Sequence, residues 1–99
     1  MNVELMFAKL YDTDKNGQIL VKADMNEEGG PEIRFYFKPE ELGVCSVAMA
    51  FNDNDKGWAE QERVFMEMTE EYASRIVAAA QSDMGIKSKG GRNIEGEEA

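Results

Sequence analysis

The 99-residue chain contains no histidine and a single cysteine, and it carries 11 basic residues against 20 acidic ones. Without histidine it lacks the side chain that most often serves as a general base near neutral pH, and also a common metal ligand. Cys45 has no second cysteine to pair with, so an intrachain disulfide is excluded. With no histidine to activate it, a thiol-protease arrangement is excluded too. Its apolar surroundings, Val44-Cys45-Ser46-Val47, predict a buried structural thiol, and the scarcity of cysteine suits a reducing compartment. Ser46, Ser74, Ser82 and Ser88 stand in no nucleophile-elbow context, and Gly29-Gly30 precedes a proline and a strand rather than following a strand as a phosphate-binding loop does. No catalytic residues are assigned, and no enzyme activity, cofactor or metal is expected.

The shortage of basic residues leaves a net charge of −9. Such a chain has few cations with which to displace counterions from phosphate, so direct binding to nucleic acid or to an anionic membrane surface is not expected. No apolar run reaches the length of a membrane span, and the start Met1-Asn2-Val3-Glu4 has neither the basic residues nor the apolar core of a signal peptide. The expected location is the cytoplasm.

Hydrophobic residues make up 42% and charged residues 31%, a globular composition at a length that allows one domain. Residues 3–11, 18–25, 32–37 and 44–51 read as strands. Asn16-Gly17 between apolar runs is a hairpin signal, since both residues tolerate positive φ. In Glu32–Phe37 the alternation places Ile33, Phe35 and Phe37 on one face. Lys38-Pro39 breaks the pattern, because proline cannot donate to a ladder. From Trp58 to Ser82 the period changes: Trp58, Phe65, Met68, Tyr72, Ile76 and Ala79 fall on one helical stripe, with Asp53, Asn54 or Asp55 as the cap and Gly85 as the stop. The predicted fold is α+β: a four-stranded antiparallel meander with one long amphipathic helix on one face, a single domain over 1–84 and a flexible tail over 85–99. The tail is neutral, so the negative charge belongs to the folded part. Strands one and four look apolar on both faces, which makes a homodimer through the open sheet face one expectation.

Two constellations merit weighing. Asp12-x-Asp14-x-Asn16-Gly17-x-Ile19 matches the first eight positions of an EF-hand calcium loop, with oxygen ligands at the expected spacing. The twelfth position is Ala23 instead of a bidentate glutamate, and strands rather than helices flank it, so a decorated hairpin turn is the favoured reading and a weak calcium or ligand site the alternative. The second is the helix. Glu60, Glu67, Glu70 and Glu71 lie opposite its apolar stripe, offset by Arg63 and Arg75 alone, and Glu67 with Glu71 forms a like-charge pair at i,i+4. Asp53, Asp55 and Glu62 add acceptors near the helix start. Carboxylates spaced along a rigid rod can imitate a nucleic-acid backbone to a protein that binds phosphate. The functional expectation is an acidic binding domain, an inhibitor or adaptor of the kind that phages and mobile elements encode. It would engage a basic host protein or nucleoprotein complex through Glu60, Glu67, Glu70 and Glu71.

Overall fold

A computed structural model describes residues 2–40 and 42–85. Beyond Gly85, the expected tail lies outside the described residues. The chain forms β1 (Val3–Glu4), β2 (Ala8–Thr13), β3 (Gly17–Met25), β4 (Pro31–Phe37), β5 (Cys45–Ala50), α1 (Asp55–Met66) and α2 (Glu70–Asp83). The α+β class and the antiparallel meander stand, with strand order β1-β2-β3-β4-β5. The details differ: the described residues form five strands rather than four, and two helices rather than one.

The extra strand comes from a turn inside the first apolar run. Leu5 N donates to Ala8 O at 2.7 Å, which folds Leu5-Met6-Phe7 into the β1–β2 connection instead of a continuous strand. These three side chains are exposed. The β2–β3 hairpin forms where Asn16-Gly17 predicts it, through a three-residue loop, with Gly17 at φ +70°. A glycine in this left-handed region closes such a loop without a Cβ penalty. The Thr13 hydroxyl accepts from Asn16 N at 3.0 Å and donates to Gly17 O at 2.7 Å. The next hairpin turns on Asn26, whose Oδ1 accepts from the backbone of Glu28 and Gly30, each at 2.9 Å. Pro31 opens β4, a strand position that tolerates a missing donor.

Register sorts the side chains. Tyr11, Ile19, Val21, Ile33, Phe35 and Phe37 point toward the helices and form the core with Phe65, Met68, Ala73, Val77 and Ala80. Cys45, Val47 and Met49 continue this face on β5 but are half-buried, so the thiol expected to be buried sits at the core's rim. The opposite face carries an apolar row across the strands, Val3-Leu10-Leu20-Tyr36, beside a block of paired charges: Arg34 binds Glu32 at 2.8 Å, and Lys22 lies 3.9 Å from Asp24. The uncovered face is therefore mixed rather than uniformly apolar, because charged residues alternate with the buried ones on β3 and β4.

The predicted long helix divides at Glu67–Thr69. Thr69 is a helix cap: its hydroxyl accepts from Tyr72 N at 3.1 Å, and Glu70 and Glu71 occupy the first turn, where negative charge suits the helix dipole. The break resets the helical phase. Gly57, Gln61 and Phe65 are buried on α1, and Ala73, Val77, Ala80 and Gln81 on α2. Trp58, Tyr72 and Ala79, assigned to the buried stripe of one continuous helix, are exposed. Phe65 and Met68 remain core residues, and Ile76 is half-buried against the core.

Candidate acidic surface at the helix elbow

The elbow between α1 and α2 is fastened to β2 by side chains whose role the sequence pattern did not reveal. Lys9 Nζ donates to Phe65 O at 2.8 Å and to Met66 O at 3.3 Å. These are carbonyls of the last turn of α1, where helix geometry supplies few donors; Phe65 O also accepts from Met68 N at 3.2 Å. The Tyr11 hydroxyl donates to Met68 O at 3.1 Å. Burial holds the Tyr11 phenol above its usual pKa, and the nearby charges of Glu4 and Glu70 push the same way. At the other end of α1, Asn54 is the cap among the three candidates, accepting from Gly57 N at 2.7 Å. Gln61, buried, donates to Asp24 O at 2.9 Å and to Glu32 O at 2.8 Å, tying α1 to β3 and β4.

This scaffold brings the four predicted glutamates around the elbow, not along one rod. Glu60 lies on α1, Glu67 caps its end, and Glu70 and Glu71 open α2. The break removes Glu67 and Glu71 from a shared i,i+4 pair. Each of the four also has a partner in the chain. Arg63 bridges Glu60 at 2.8 Å and Glu67 at 3.2 Å, Arg75 binds Glu71 at 2.8 Å, and Asn2 Nδ2 donates to Glu70 at 3.0 Å. The hydrogen bond that Arg63 donates to Glu60, with the charges of Glu60 and Glu67, raises the Arg63 pKa. The carboxylates stay open to solvent, with Glu67 67% and Glu71 77% exposed. Ion pairs this exposed are screened by water and add little to stability. Residues 52–84 hold eight acidic side chains against three basic ones, so the helical layer keeps a net charge of −5. Exposed Met66 and Tyr72 lie in this acidic setting. A shallow cleft of about 330 Å³ lies at the start of α1, away from the elbow, where Ala50, Phe51 and Asn52 meet Lys56, Gly57 and Glu60.

The calcium-like loop is arranged differently from an ion cage. Asp12 lies on the open face of the β2–β3 hairpin, whereas Asn16 turns to the helix side, where its Nδ2 donates to Ser74 Oγ at 2.7 Å. Asn16 Oδ1 is buried with no hydrogen-bond partner among the described residues, and Asp14 is exposed. The three oxygens thus do not converge. Among the described residues no helix is long and apolar enough to cross a membrane. No family model, curated protein or solved structure matches the chain.

Proposed function

We propose that this protein is an acidic binding domain that blocks or adapts a basic surface of another protein, one that itself binds nucleic acid, with the helix elbow as the contact. The observation that carries this reading is the solvent-open set Glu60, Glu67, Glu70 and Glu71 on a layer of net charge −5, held by an elbow anchored to the sheet. A cationic partner exchanges weak local ion pairs for its own, at little cost to the fold. Lysine and arginine side chains that otherwise grip phosphate meet carboxylates of the same charge sign, partly imitating a nucleic-acid backbone. The inhibitor or adaptor role, of the type found in phages and mobile elements, is an analogy of size and charge.

The test immobilises the full chain and passes over it the DNA-binding protein fraction of the source organism. Retention should fall with added salt and with competing duplex DNA. It should be lost when Glu60, Glu67, Glu70 and Glu71 are all changed to Lys while circular dichroism stays unchanged. Equal retention by the folded charge-reversed chain refutes the reading.

A further inference from the structure

We infer that β5 is a self-pairing edge: two copies of the chain join along Cys45–Ala50, antiparallel about a twofold axis at Ala48, so that the two five-stranded sheets become one.

β5 ends the sheet, and its ladder to β4 shows which backbone groups are unused. Phe51 N donates to Pro31 O at 3.0 Å. In an antiparallel ladder alternate residues face the neighbour. Cys45, Val47 and Met49 therefore turn their N–H and C=O groups toward β4, and Ser46, Ala48 and Ala50 turn theirs outward. Nothing else among the described residues pairs with that outer edge.

The two edges of the sheet are protected very differently. β1 is two residues long and includes Glu4, a short and charged edge of the sort that discourages pairing. From Gly43 to Phe51 there is neither a charged residue nor a proline, in a chain that is 31% charged. An uncharged, apolar edge strand of six residues is a template for another strand.

The helical layer also stops short of β5. On β4, Ile33, Phe35 and Phe37 are at most 2% exposed, whereas Cys45, Val47 and Met49 on the same face are only half-buried. A second layer brought alongside would cover them.

The strand's chemistry selects a second copy as the occupant. Ser46, Ala48 and Ala50 are small and share one face; Cys45, Val47 and Met49 share the other. Reversed, β5 presents the same pattern. With the axis at Ala48, Ala48 opposes Ala48 of the second copy, Val47 opposes its Met49, and Ser46 opposes its Ala50. The outward groups then meet outward groups, and both helical layers lie on the same side of the joined sheet. No like charges meet along the strand pair, which matters for two chains of −9 each.

Repulsion between the two net charges makes the dimer tighten with salt, whereas elbow binding to a basic partner weakens. The two proposals therefore fail separately. Sedimentation velocity of the full chain from about 1 μM to about 1 mM should show a concentration-dependent dimer that is more populated at high salt. Ala48→Glu places an introduced carboxylate opposite Arg34 within the chain but opposite its own copy across the axis, and should give a folded monomer. In a Cys45→Ser background, Ala48→Cys should yield a disulfide-linked dimer on mild oxidation, and Asp14→Cys should not. A wild-type chain that stays monomeric throughout overturns the inference and leaves the edge to an extended segment of a different protein. So does an Ala48→Glu chain that dimerises like wild type. If Ala48→Glu does not fold, the absence of the Ala48→Cys cross-link overturns it.

Discussion

Lys9 is 7% exposed, and its ammonium sits 2.8 Å from the Phe65 carbonyl oxygen and 5.0 Å from the centre of the Phe65 ring. One side chain of β2 thus donates to the last carbonyls of α1, Met66 O and the Phe65 O that Met68 N also reaches, and covers the aromatic residue that α1 contributes to the core. The cation at a helix C-terminus is favoured by the helix dipole, and the ring face adds to the attraction.

Lys9→Met keeps the apolar stem and removes the ammonium. Met66 O loses its donor, Phe65 O keeps only the backbone donor Met68 N, and unfolding by denaturant should show a loss of about 1–3 kcal/mol. An unchanged midpoint and slope would mean that the elbow does not depend on this contact.

Tyr11→Phe removes the hydroxyl that donates to Met68 O, with an expected loss of about 1 kcal/mol near neutral pH. A pH effect accompanies it. The folded state raises the phenol pKa above the ordinary 10.0, so folding favours the neutral form. That stabilisation is complete below the unfolded-state value and is lost as pH rises from about 10 through the folded-state value. Melting temperature plotted against pH should fall in the alkaline range for the wild type, and that part of the fall should be missing in Tyr11→Phe.

Thr69→Ala deletes the cap of α2. The expected loss is about 1 kcal/mol, and Thr69→Ser should restore most of it. Hydrogen exchange should localise the effect to the first turn of α2, where Tyr72 N loses its acceptor.

Gly57→Ala tests a close approach. Gly57 is buried, and a Cβ there would overlap the Asn52 backbone carbonyl oxygen. The first turn of α1 would have to move off the β5–α1 loop, at a cost of about 2 kcal/mol or more. A melting temperature equal to wild type would show that this approach is not needed.

The parts of the fold legible in the sequence were those fixed by near neighbours. Asn16-Gly17 marked the β2–β3 hairpin because a glycine at positive φ closes the loop locally. Alternation marked β4, since Ile33, Phe35 and Phe37 face one side whatever lies above them. Asn54 stood among the predicted caps because capping is settled within three residues. The four glutamates were legible as charge and as helix surface, but not as an elbow.

Helical periodicity over residues 58–82 was compatible with one rod, and Thr69-Glu70-Glu71 was the one local hint of a new start. What ends α1 comes from 56 residues away, where Lys9 reaches Phe65 O, and Tyr11 holds Met68 O from a similar separation. Leu5, Met6 and Phe7 read as strand because apolar runs usually do, yet the turn at Leu5–Ala8 exposes them.

The sequence by itself determined the class of fold, the positions of the main turns and the excess of negative charge, because propensity, turn chemistry and charge act over a few residues. The tertiary structure alone decided that the helix divides, which residues it buries, and that β5 is left as the long uncharged edge. These follow from which strands lie beside which, and from donors on β2 meeting carbonyls of a helix formed half a chain later.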